Sequence, residues 1–279
     1  MKNTNPYPEF SVSMSVYKND DPTFFYEAVQ SVLNQTVMPQ EVIIVIDGYI
    51  PDETETILQD FKKAHDIIKI VRLEKNMGHG HARNIGLRNS KHDYVALMDS
   101  DDICRNNRFE LQLNYFAANP DTSIVGGTIE EFLMVPENKL LKRKLPSTDT
   151  DIKNYMKYRC PFNQMTVMFK KKDVLEAGGY LDWFCNEDYY LWVRMAEKKF
   201  TFHNLEEVLV DVRVNENFYD RRGGYKYFKS EAKLQKLMYS KGIISLPVLV
   251  WNILIRFAVQ VIMPNRLREY FFMKFTRSK

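Results

Sequence analysis

The chain has 279 residues, of which 45% are apolar, 27% charged and 13% aromatic, so it is long enough to bury a substantial core in one large domain or two small ones. Its three cysteines, Cys104, Cys160 and Cys185, form an odd set without metal-ligand spacing, which argues against a disulfide scaffold and for a reducing compartment. The N-terminal stretch MKNTNPYPEF has no apolar signal region, so we expect cytoplasmic exposure.

Charge is distributed unevenly along the chain, although the net value is only +3. Residues 220–279 hold 13 Lys and Arg against 3 Asp and Glu, whereas residues 1–219 hold 26 against 33. An acidic body with a basic tail favours a polyanionic partner, either nucleic acid or an anionic membrane face.

The first half alternates strand and helix patterns. Asp21-Pro22 supplies a helix cap and a first-turn proline before FFYEAVQSVLNQ, and EVIIVID is the continuous apolar run of a buried parallel strand. The βαβαβαβ order predicts a doubly wound, Rossmann-like parallel sheet flanked by helices. The predicted strands are 10–17, 41–47, 67–73 and 94–99, and the predicted helices between them are 22–35, 52–65 and 80–89.

Polar residues follow three of these strands, at 17–20, at 47–48 and at 99–102. Ligands of such sheets lie beyond the carboxyl ends of the strands, so we expect these segments to meet around a ligand. The acids there suit a nucleotide held through a metal ion. No GxGxxG follows the first strand and no GxxxxGK[ST] occurs, so dinucleotide-binding and P-loop functions lose their main support.

The second half is less regular. Strands are predicted at 123–133 and 163–169, a short helix at 171–177, and a helix at 185–198 with acids in its first turn. Two short strands, 200–205 and 208–214, follow.

The tail segment 243–263 predicts an amphipathic helix, because its polar residues fall in one stripe roughly 80° wide. A bilayer-spanning helix with a central arginine would be costly, so the pattern favours a helix lying on a membrane surface. The alternative is a helix that packs its apolar face on the domain. The stripe is Ser245, Asn252, Arg256 and Gln260, and the basic residues that follow are Arg266, Arg268, Lys274, Arg277 and Lys279.

Five blocks in order, SVSMSVYKND, VIDG, NMGHGHARNIGL, LMDSDD and GGY…NEDYYLWVRM, resemble glycosyltransferase family 2 on the GT-A fold, across residues 10 to about 215. The resemblance implies a GT-A domain at 1–218, with a nucleotide-binding half at about 1–104 and an acceptor-binding half at about 105–218. A helical, membrane-associating tail would occupy 219–279. The segment RVNENFYDRRGG resembles enzymes that build bacterial capsule, exopolysaccharide or O-antigen units on a lipid carrier.

By this resemblance, Ser15 and Tyr17 line a pocket for a uracil ring and Asp47 accepts the uracil imide N–H. Family members usually have two acids before the glycine, but here the first position is Ile46, so only Asp47 can take the role. Arg83 is expected near the diphosphate or the uridine edge, where a guanidinium forms forked hydrogen bonds.

The resemblance also assigns the aspartates of LMDSDD. Asp99 touches the ribose and the metal shell, Ser100 is the spacer that helps to bind the nucleotide, and Asp101 ligates Mn²⁺ or Mg²⁺, which prefer oxygen ligands. Asp102 is expected to cap the following helix. Metal ligation by the histidines of His79-Gly80-His81 is disfavoured, because their spacing does not put them on one helical face.

Proton removal from an acceptor hydroxyl needs a positioned carboxylate. In the Glu187-Asp188 pair the family's base corresponds to Asp188, with Glu187 supporting it or binding the acceptor. A lone base without a nucleophilic carboxylate implies a single displacement with inversion. Residues that the resemblance places near the acceptor or its phosphates are Gly179, Trp192, Gln164 (where we expect the family often to have His), Arg213, Arg221 and Arg222.

The function expected from these residues is metal-assisted transfer of a hexose or N-acetylhexosamine from a UDP-sugar to a saccharide linked to undecaprenyl diphosphate. The enzyme would be peripheral on the inner face of the bacterial cell membrane, with no nucleic-acid partner. One alternative is a sugar-phosphate nucleotidyltransferase, although SVYKNDDP stands where its Gly-rich loop belongs. A nucleotide-sugar-binding protein without catalysis is the other, and the intact Glu187-Asp188 pair disfavours it.

Overall fold

The computed structural model describes residues 6–214, 223–264 and 267–268. The strands of this part of the chain are β1 (Phe10–Val16), β2 (Glu41–Asp47), β3 (Ile68–Leu73), β4 (Tyr94–Leu97), β5 (Ile103–Cys104), β6 (Thr122–Leu133), β7 (Lys139–Arg143), β8 (Met168–Lys170) and β9 (Thr201–Val214). The α-helices are α1 (Pro22–Leu33), α2 (Asp52–Ala64), α3 (His79–Asn89), α4 (Arg108–Ala118), α5 (Asp149–Met156), α6 (Lys171–Glu176), α7 (Glu187–Glu197), α8 (Tyr225–Ser240) and α9 (Leu246–Phe257).

The strands form one sheet in the order β3-β2-β1-β4-β8-β6-β9-β5, with β7 paired to β6. The pairs β1–β2, β2–β3 and β1–β4 are parallel, which confirms the predicted βαβ half. Beyond β4 the sheet is mixed, because β8 runs antiparallel to both β4 and β6, whereas β9 is parallel to β6. Two expectations here were wrong: 200–214 is one long strand, and most of 163–169 is a 3₁₀ turn and loop before the short β8.

Local sequence explains the first helix and the central strands. The Asp21 side chain caps α1 by accepting from the backbone N–H of Thr23 at 2.8 Å, and Pro22 occupies the first turn. The apolar face of α1 then packs on the sheet as predicted, and every residue of β2 is buried. Because β1 and β2 are covered by helices, their polar loops emerge only at the sheet edge, where a ligand can reach them.

Helices α8 and α9 pack on the hydrophobic cluster that also holds α7, through Leu234, Met238 and Leu249. The polar stripe of α9 faces the protein: the Asn252 side chain donates to the Lys157 carbonyl at 2.9 Å. On the same stripe, the guanidinium of Arg256 and the amide of Gln260 meet Glu231 of α8 at 2.8 and 2.6 Å.

The predicted amphipathic helix is therefore present. The alternative considered from sequence was that its apolar face packs on the domain, but in the structure the polar stripe does so. Its apolar face points outward, with large side chains exposed at Trp251 and Leu254 and, in the π-helical turn that follows, at Ile262. None of the helices in the described ranges is long and apolar enough to cross a bilayer. Of the basic residues after position 264, only Arg268 belongs to the described part, where it is buried.

Candidate active site

A cavity of about 800 Å³ lies at the carboxyl ends of β1, β2 and β4, and we call it the sheet-edge cavity. The three polar segments that the topology predicted to meet do so here. The cavity lining includes Ser15, Tyr17, Asp20, Asp47, Asp99, Ser100, Asp101 and Glu187.

Asp20 joins the loop after β1 to the aspartate loop after β4. Its Oδ2 accepts from the Tyr17 backbone N–H at 3.1 Å and from the Ser100 hydroxyl at 2.8 Å. Burial raises the pKa of Asp20 despite these hydrogen bonds. We did not assign Asp20 to the site from sequence; the available signal was its place in the polar run 17–20. Through these two hydrogen bonds, Asp20 holds Tyr17 and Ser100 on the same wall of the cavity.

Asp47 is buried and fixes the loop before α3. Its two carboxylate oxygens accept from the backbone N–H groups of Met77 at 2.7 Å and Gly78 at 3.0 Å. Gly78 has φ +91°, a conformation that strains residues with a side chain. This carboxylate thus has a structural function, and its predicted contact with a uracil stays a prediction.

Arg83 lies behind the cavity wall, with 2% of its surface exposed. Its guanidinium pairs with the Asp99 carboxylate and donates through Nε to His79 at 3.0 Å. The buried guanidinium orients the Asp99 carboxylate, and the expected contact of Arg83 with a diphosphate or the uridine edge stays a prediction.

Asp101 and Asp102 have different surroundings. Asp101 is exposed and lines the cavity, whereas Asp102 is buried and accepts from the Arg213 backbone N–H at 2.9 Å. The proposed helix cap was wrong, since α4 begins only at Arg108 and Asp102 attaches the loop to β9. Arg213 braces the same loop by donating to the Asp101 carbonyl at 3.1 Å and pairing with Glu27, so it lines the cavity without a solvated guanidinium.

Asp99 and Asp101 are the carboxylates of the loop after β4 that line the cavity and could hold a metal ion. No group of three or more His, Cys, Asp or Glu side chains within the described ranges is arranged to hold an ion. Mg²⁺ is commonly bound by one or two carboxylates together with substrate phosphates, rather than by a full cage of protein ligands. Two carboxylates on one wall of a nucleotide-sized cavity fit an ion that binds together with a diphosphate.

Glu187 begins α7 and faces the cavity from the side opposite the sheet. Its Oε1 lies 3.2 Å from His79 Nδ1, and it approaches α3 so closely that a Cβ on Gly80 would stand 3.1 Å from the Glu187 Cβ. Burial acts to raise the pKa of Glu187, but the hydrogen bond and charge of His79, with the charge of Arg83, bring the pKa below its usual value. His79, which sequence reasoning considered only as a metal ligand, thus lies between Glu187 and Asp99.

Asp188 lies one residue deeper and does not line the sheet-edge cavity. Its Oδ2 is 3.6 Å from Cys160 Sγ, and its Oδ1 accepts from the Tyr189 backbone N–H at 2.6 Å. Burial, and next the neighbouring charge of Glu187, raise the pKa of Asp188 to about 6. A carboxylate with a pKa near neutrality suits general base catalysis.

Gln164 connects the two sides of the site. In the amide orientation that satisfies both neighbours, its nitrogen donates to Asp188 Oδ2 at 2.9 Å and its oxygen accepts from Arg83 Nε at 3.0 Å. Gln164 is thus a link between α3 and α7 and positions Asp188.

Two residues expected near the acceptor are buried elsewhere. Trp192 has no exposed surface and packs edge-on against Phe162, with ring centroids 5.4 Å apart, so it is a core residue and no platform for a sugar. Gly179 is buried against α3, where a Cβ would stand 2.6 Å from Asn84 Oδ1, so it serves close packing and not a loop over the sugar. Arg221 and Arg222 lie outside the described residues.

A second cavity, of about 1090 Å³, adjoins the first, and we call it the α8 cavity. Both cavities are lined by Gly78, His79, Cys185 and Glu187. Sequence analysis missed the aromatic pair Trp183-Phe184, which lines the α8 cavity; its signal was its place just before the Glu187-Asp188 block. The α8 residues on the other wall include Tyr225, Lys226, Phe228, Lys229, Lys233 and Lys236.

Comparison with known proteins identifies relatives of this chain. The chain is 40% identical, over 97% of its own length and 97% of the relative's, to an Escherichia coli UDP-Gal:α-D-GlcNAc-diphosphoundecaprenol β-1,3-galactosyltransferase. It is 35% identical to the amylovoran biosynthesis glycosyltransferase AmsE of Erwinia amylovora, over 82% of this chain and 85% of AmsE.

Two solved structures share the fold. S. aureus TarS 1-349 in complex with UDP-GlcNAc has a TM-score of 0.65 at 16% identity, covering 90% of this chain and 72% of that one. The mannosyltransferase PcManGT of Pyrobaculum calidifontis, in complex with GDP-Man and Mn²⁺, has a TM-score of 0.61 at 16% identity, covering 95% and 72%. The predicted GT-A fold is confirmed.

The model of the family described as "Glycosyl transferase family 2" matches residues 11–179, which include β1 except Phe10, the Asp47 and Asp99–Asp102 segments and helix α3. Together with the relatives that match over nearly the whole chain, this match leaves the nucleotidyltransferase and the purely binding alternatives without support. The chain is a glycosyltransferase and belongs to glycosyltransferase family 2.

Proposed function

We propose that the protein transfers a hexose or N-acetylhexosamine from a UDP-sugar to a hydroxyl of a saccharide attached to a lipid diphosphate, in the synthesis of a bacterial surface polysaccharide. The main observation in support is that one cavity brings together the end of β1, the Asp99–Asp101 carboxylates and the start of α7. The name of the E. coli relative, with its UDP-Gal donor and diphosphoundecaprenol-linked GlcNAc acceptor, supports the same classes of donor and acceptor here.

Donor binding would use the sheet wall of the cavity. Tyr17 offers an exposed ring for the uracil, beside the Ser15 hydroxyl, and Ser100 is fixed through Asp20. Asp99 and Asp101 would hold Mn²⁺ or Mg²⁺, which when bound neutralises charge on the diphosphate leaving group.

We propose Asp188 as the base. It would accept the proton of the acceptor hydroxyl while that oxygen attacks the anomeric carbon and UDP leaves from the opposite side. Because one displacement occurs, the anomeric configuration inverts. Glu187, whose pKa is low and which faces both cavities, would stay ionised and hold the acceptor; general base geometry tightens only when substrate is bound.

The experiment that tests this function is a panel of UDP-sugars offered with an N-acetylglucosaminyl diphosphate bearing a short alkyl chain. We expect one UDP-sugar to give a disaccharide product in a reaction that needs a divalent ion. Turnover with a GDP-sugar but with none of the UDP-sugars would contradict the proposed donor class.

We also propose that the protein is peripheral on the inner face of the cell membrane, bound through the exposed apolar face of α9. Trp251 is 60% exposed and Leu254 61%, and residues 220–279 have a large excess of basic side chains. An exposed apolar helix face beside basic residues is typical of proteins that bind anionic lipid surfaces.

The double substitution Trp251→Glu, Leu254→Glu should therefore weaken binding to vesicles that contain phosphatidylglycerol by tenfold or more. Each large apolar side chain that leaves water contributes roughly 1.5–3 kcal/mol, so losing two should be easily measured by cosedimentation. The matched control is Val135→Glu, Leu140→Glu, which changes two exposed apolar residues near the β6–β7 connection. Equal binding of both variants and the parent would refute the proposed membrane face.

A further inference from the structure

We infer that the α8 cavity is the binding site for the diphosphate of the lipid-linked acceptor, an inference that rests on the proposed function. The four lysines that line it, Lys226, Lys229, Lys233 and Lys236, would bind the diphosphate, and the sugar would extend from there to Glu187. Neither the family match nor the names of the relatives assigns a function to these residues.

The spacing of the lysines puts them on one face of α8. Steps of three, four and three residues keep them within an arc of about 80° on a helix that turns 100° per residue. All four are exposed, and none forms an ion pair with a carboxylate of the described ranges. The one acid of α8, Glu231, faces Arg256 and Gln260 on another side of the helix. The α8 side of the cavity therefore presents four lysines that form no ion pair within the described ranges.

Aromatic rings hold these lysines over the cavity. Lys226 Nζ lies 4.0 Å from the centroid of the Phe184 ring, and Lys233 Nζ lies 4.4 Å from that of Trp183. Such cation–π contacts restrict where the ammonium groups point, although they leave the N–H donors available to an anion. Lys229 Nζ is 5.4 Å from the Tyr225 ring, so three of the four lysines share this arrangement.

Hydrogen bonds attach this wall to the catalytic helix. Trp183 Nε1 donates to the Ser230 carbonyl at 3.2 Å, and Asn186, which precedes Glu187, donates from Nδ2 to the Ser230 hydroxyl at 3.2 Å. The lysine row and the start of α7 are thus held at a fixed separation, which is what a site needs if it anchors one end of a substrate while the other end reacts.

The position of the cavity matches the order of groups in the acceptor. On one side it opens to the sheet-edge cavity past His79 and Glu187, where the attacking hydroxyl must lie. On the other side it is lined by Ile253 of α9, next to the exposed Leu254. Saccharide, diphosphate and lipid would then meet carboxylates, lysines and apolar residues in that order. The acidic residues that line the α8 cavity are Asp182 and Glu187. Glu187 lies where this cavity opens to the sheet-edge cavity, the end at which the sugar would bind.

The test is the double substitution Lys229→Ala, Lys233→Ala. Binding of farnesyl diphosphate is measured by calorimetry with UDP and Mg²⁺ at saturation, so that the donor site is filled. We expect affinity to fall at least about tenfold, because hydrogen bonds to charged groups are the strong ones. The control Lys63→Ala, Lys172→Ala removes the same charge from exposed positions elsewhere and should change affinity less than twofold. Equal affinity of parent and both variants would overturn the inference.

Two further measurements distinguish a diphosphate site from a folding defect and from a surface that binds lipid headgroups. UDP affinity of the Lys229→Ala, Lys233→Ala variant should stay parental, and Lys229→Arg, Lys233→Arg should restore most of the farnesyl diphosphate binding, which a folding defect would not allow. Loss of binding to phosphatidylglycerol vesicles with unchanged affinity for farnesyl diphosphate would overturn the inference, because the lysines would then bind membrane headgroups.

Because this assay needs no turnover, it is independent of the proposed reaction. Weakened farnesyl diphosphate binding in a protein that transfers no sugar would support the site and refute the proposed function. If sugar transfer proceeds but the KM for the lipid diphosphate acceptor is parental in the Lys229→Ala, Lys233→Ala variant, the site is refuted and the proposed function stands.

Discussion

Replacing Asp188 by asparagine is expected to lower the turnover of sugar transfer by about 10²–10⁴-fold, the usual contribution of a general base. Affinity for UDP should stay within twofold, because Asp188 lies outside the sheet-edge cavity and contacts Cys160 and Gln164. The measurement is steady-state kinetics beside UDP titration. Retention of more than a tenth of parental turnover would rule out Asp188 as the base.

Glu187→Gln is the matched control, since it removes the neighbouring carboxylate of the same helical turn. We expect it to raise the KM for the acceptor and to retain the acid limb of the pH profile. In the parent, kcat/KM should fall as the pH drops below about 6, since Asp188 has a pKa of about 6 and must be unprotonated to act. If this limb instead disappears in Glu187→Gln and persists in Asp188→Asn, Glu187 is the base.

Asp188→Asn should also stabilise the protein. The folded pKa of Asp188 lies above the ordinary value of 3.8, so the folded state holds the proton more tightly than the unfolded chain does. The contribution of the Asp188 carboxyl to the free energy of unfolding therefore declines as the pH rises from about 4 through 6. At pH 7.5, Asp188→Asn should raise the free energy of unfolding by about 1–2 kcal/mol, a value that allows for the partial exposure of this carboxyl. A variant that is less active and more stable is expected where a desolvated carboxylate is retained for function.

Replacing Asp101 by asparagine is expected to abolish the effect of a divalent ion on UDP binding. The parent should bind UDP more tightly with Mn²⁺ than with a chelator, because Asp99 and Asp101 would hold an ion that offsets the negative charge of the diphosphate. Turnover of the variant should fall by about 100-fold or more, since metal stabilisation of a leaving phosphate is worth several kcal/mol.

The matched control is Asp121→Asn, which removes an exposed carboxylate outside the sheet-edge cavity and should leave both UDP affinity and turnover unchanged. Equal affinity of the parent for UDP with and without Mn²⁺ would exclude a role for the metal ion in donor binding. In that case Asp99 and Asp101 would contact only the ribose or neighbouring loop residues.

The parallel half of the fold and the location of the site follow from local patterns. A fully apolar run such as EVIIVID is stable only between two layers of helices, and parallel strands place their carboxyl ends at one edge. That reasoning brought Tyr17, Asp47 and Asp101 to one cavity. It placed Asp20 in the polar segment 17–20 but did not predict its hydrogen bond with Ser100, because the two residues are 80 positions apart and no local spacing encodes such a pair.

The tail shows what an amphipathic pattern leaves open. Periodicity identifies the stripe of Asn252 and Arg256 but not what it faces, and polar stripes usually face water. Here the stripe is buried because α8 supplies Glu231 and Gln235 as partners, so the apolar face is left outside. Only the packing of α8 against α9 shows that the polar stripe is buried and the apolar face exposed.

The tryptophans show a similar limit. Trp192 and Trp183 both lie close to the Glu187-Asp188 block in sequence, and helical position alone does not tell which one reaches a cavity. Trp192 points into the cluster around Phe162, whereas Trp183 precedes the helix and lines the α8 cavity. The lining of the α8 cavity was therefore much harder to predict from sequence than that of the sheet-edge cavity.

The proposed reaction is a single displacement at the anomeric carbon by an acceptor hydroxyl whose proton Asp188 takes. The most direct measurement is the anomeric configuration of the disaccharide formed from an α-linked UDP-sugar, read from the one-bond and three-bond NMR couplings of the new linkage. For a single displacement we expect a β-linkage formed without a covalent sugar–enzyme intermediate. An α-linkage, with the configuration of the donor retained, would contradict it.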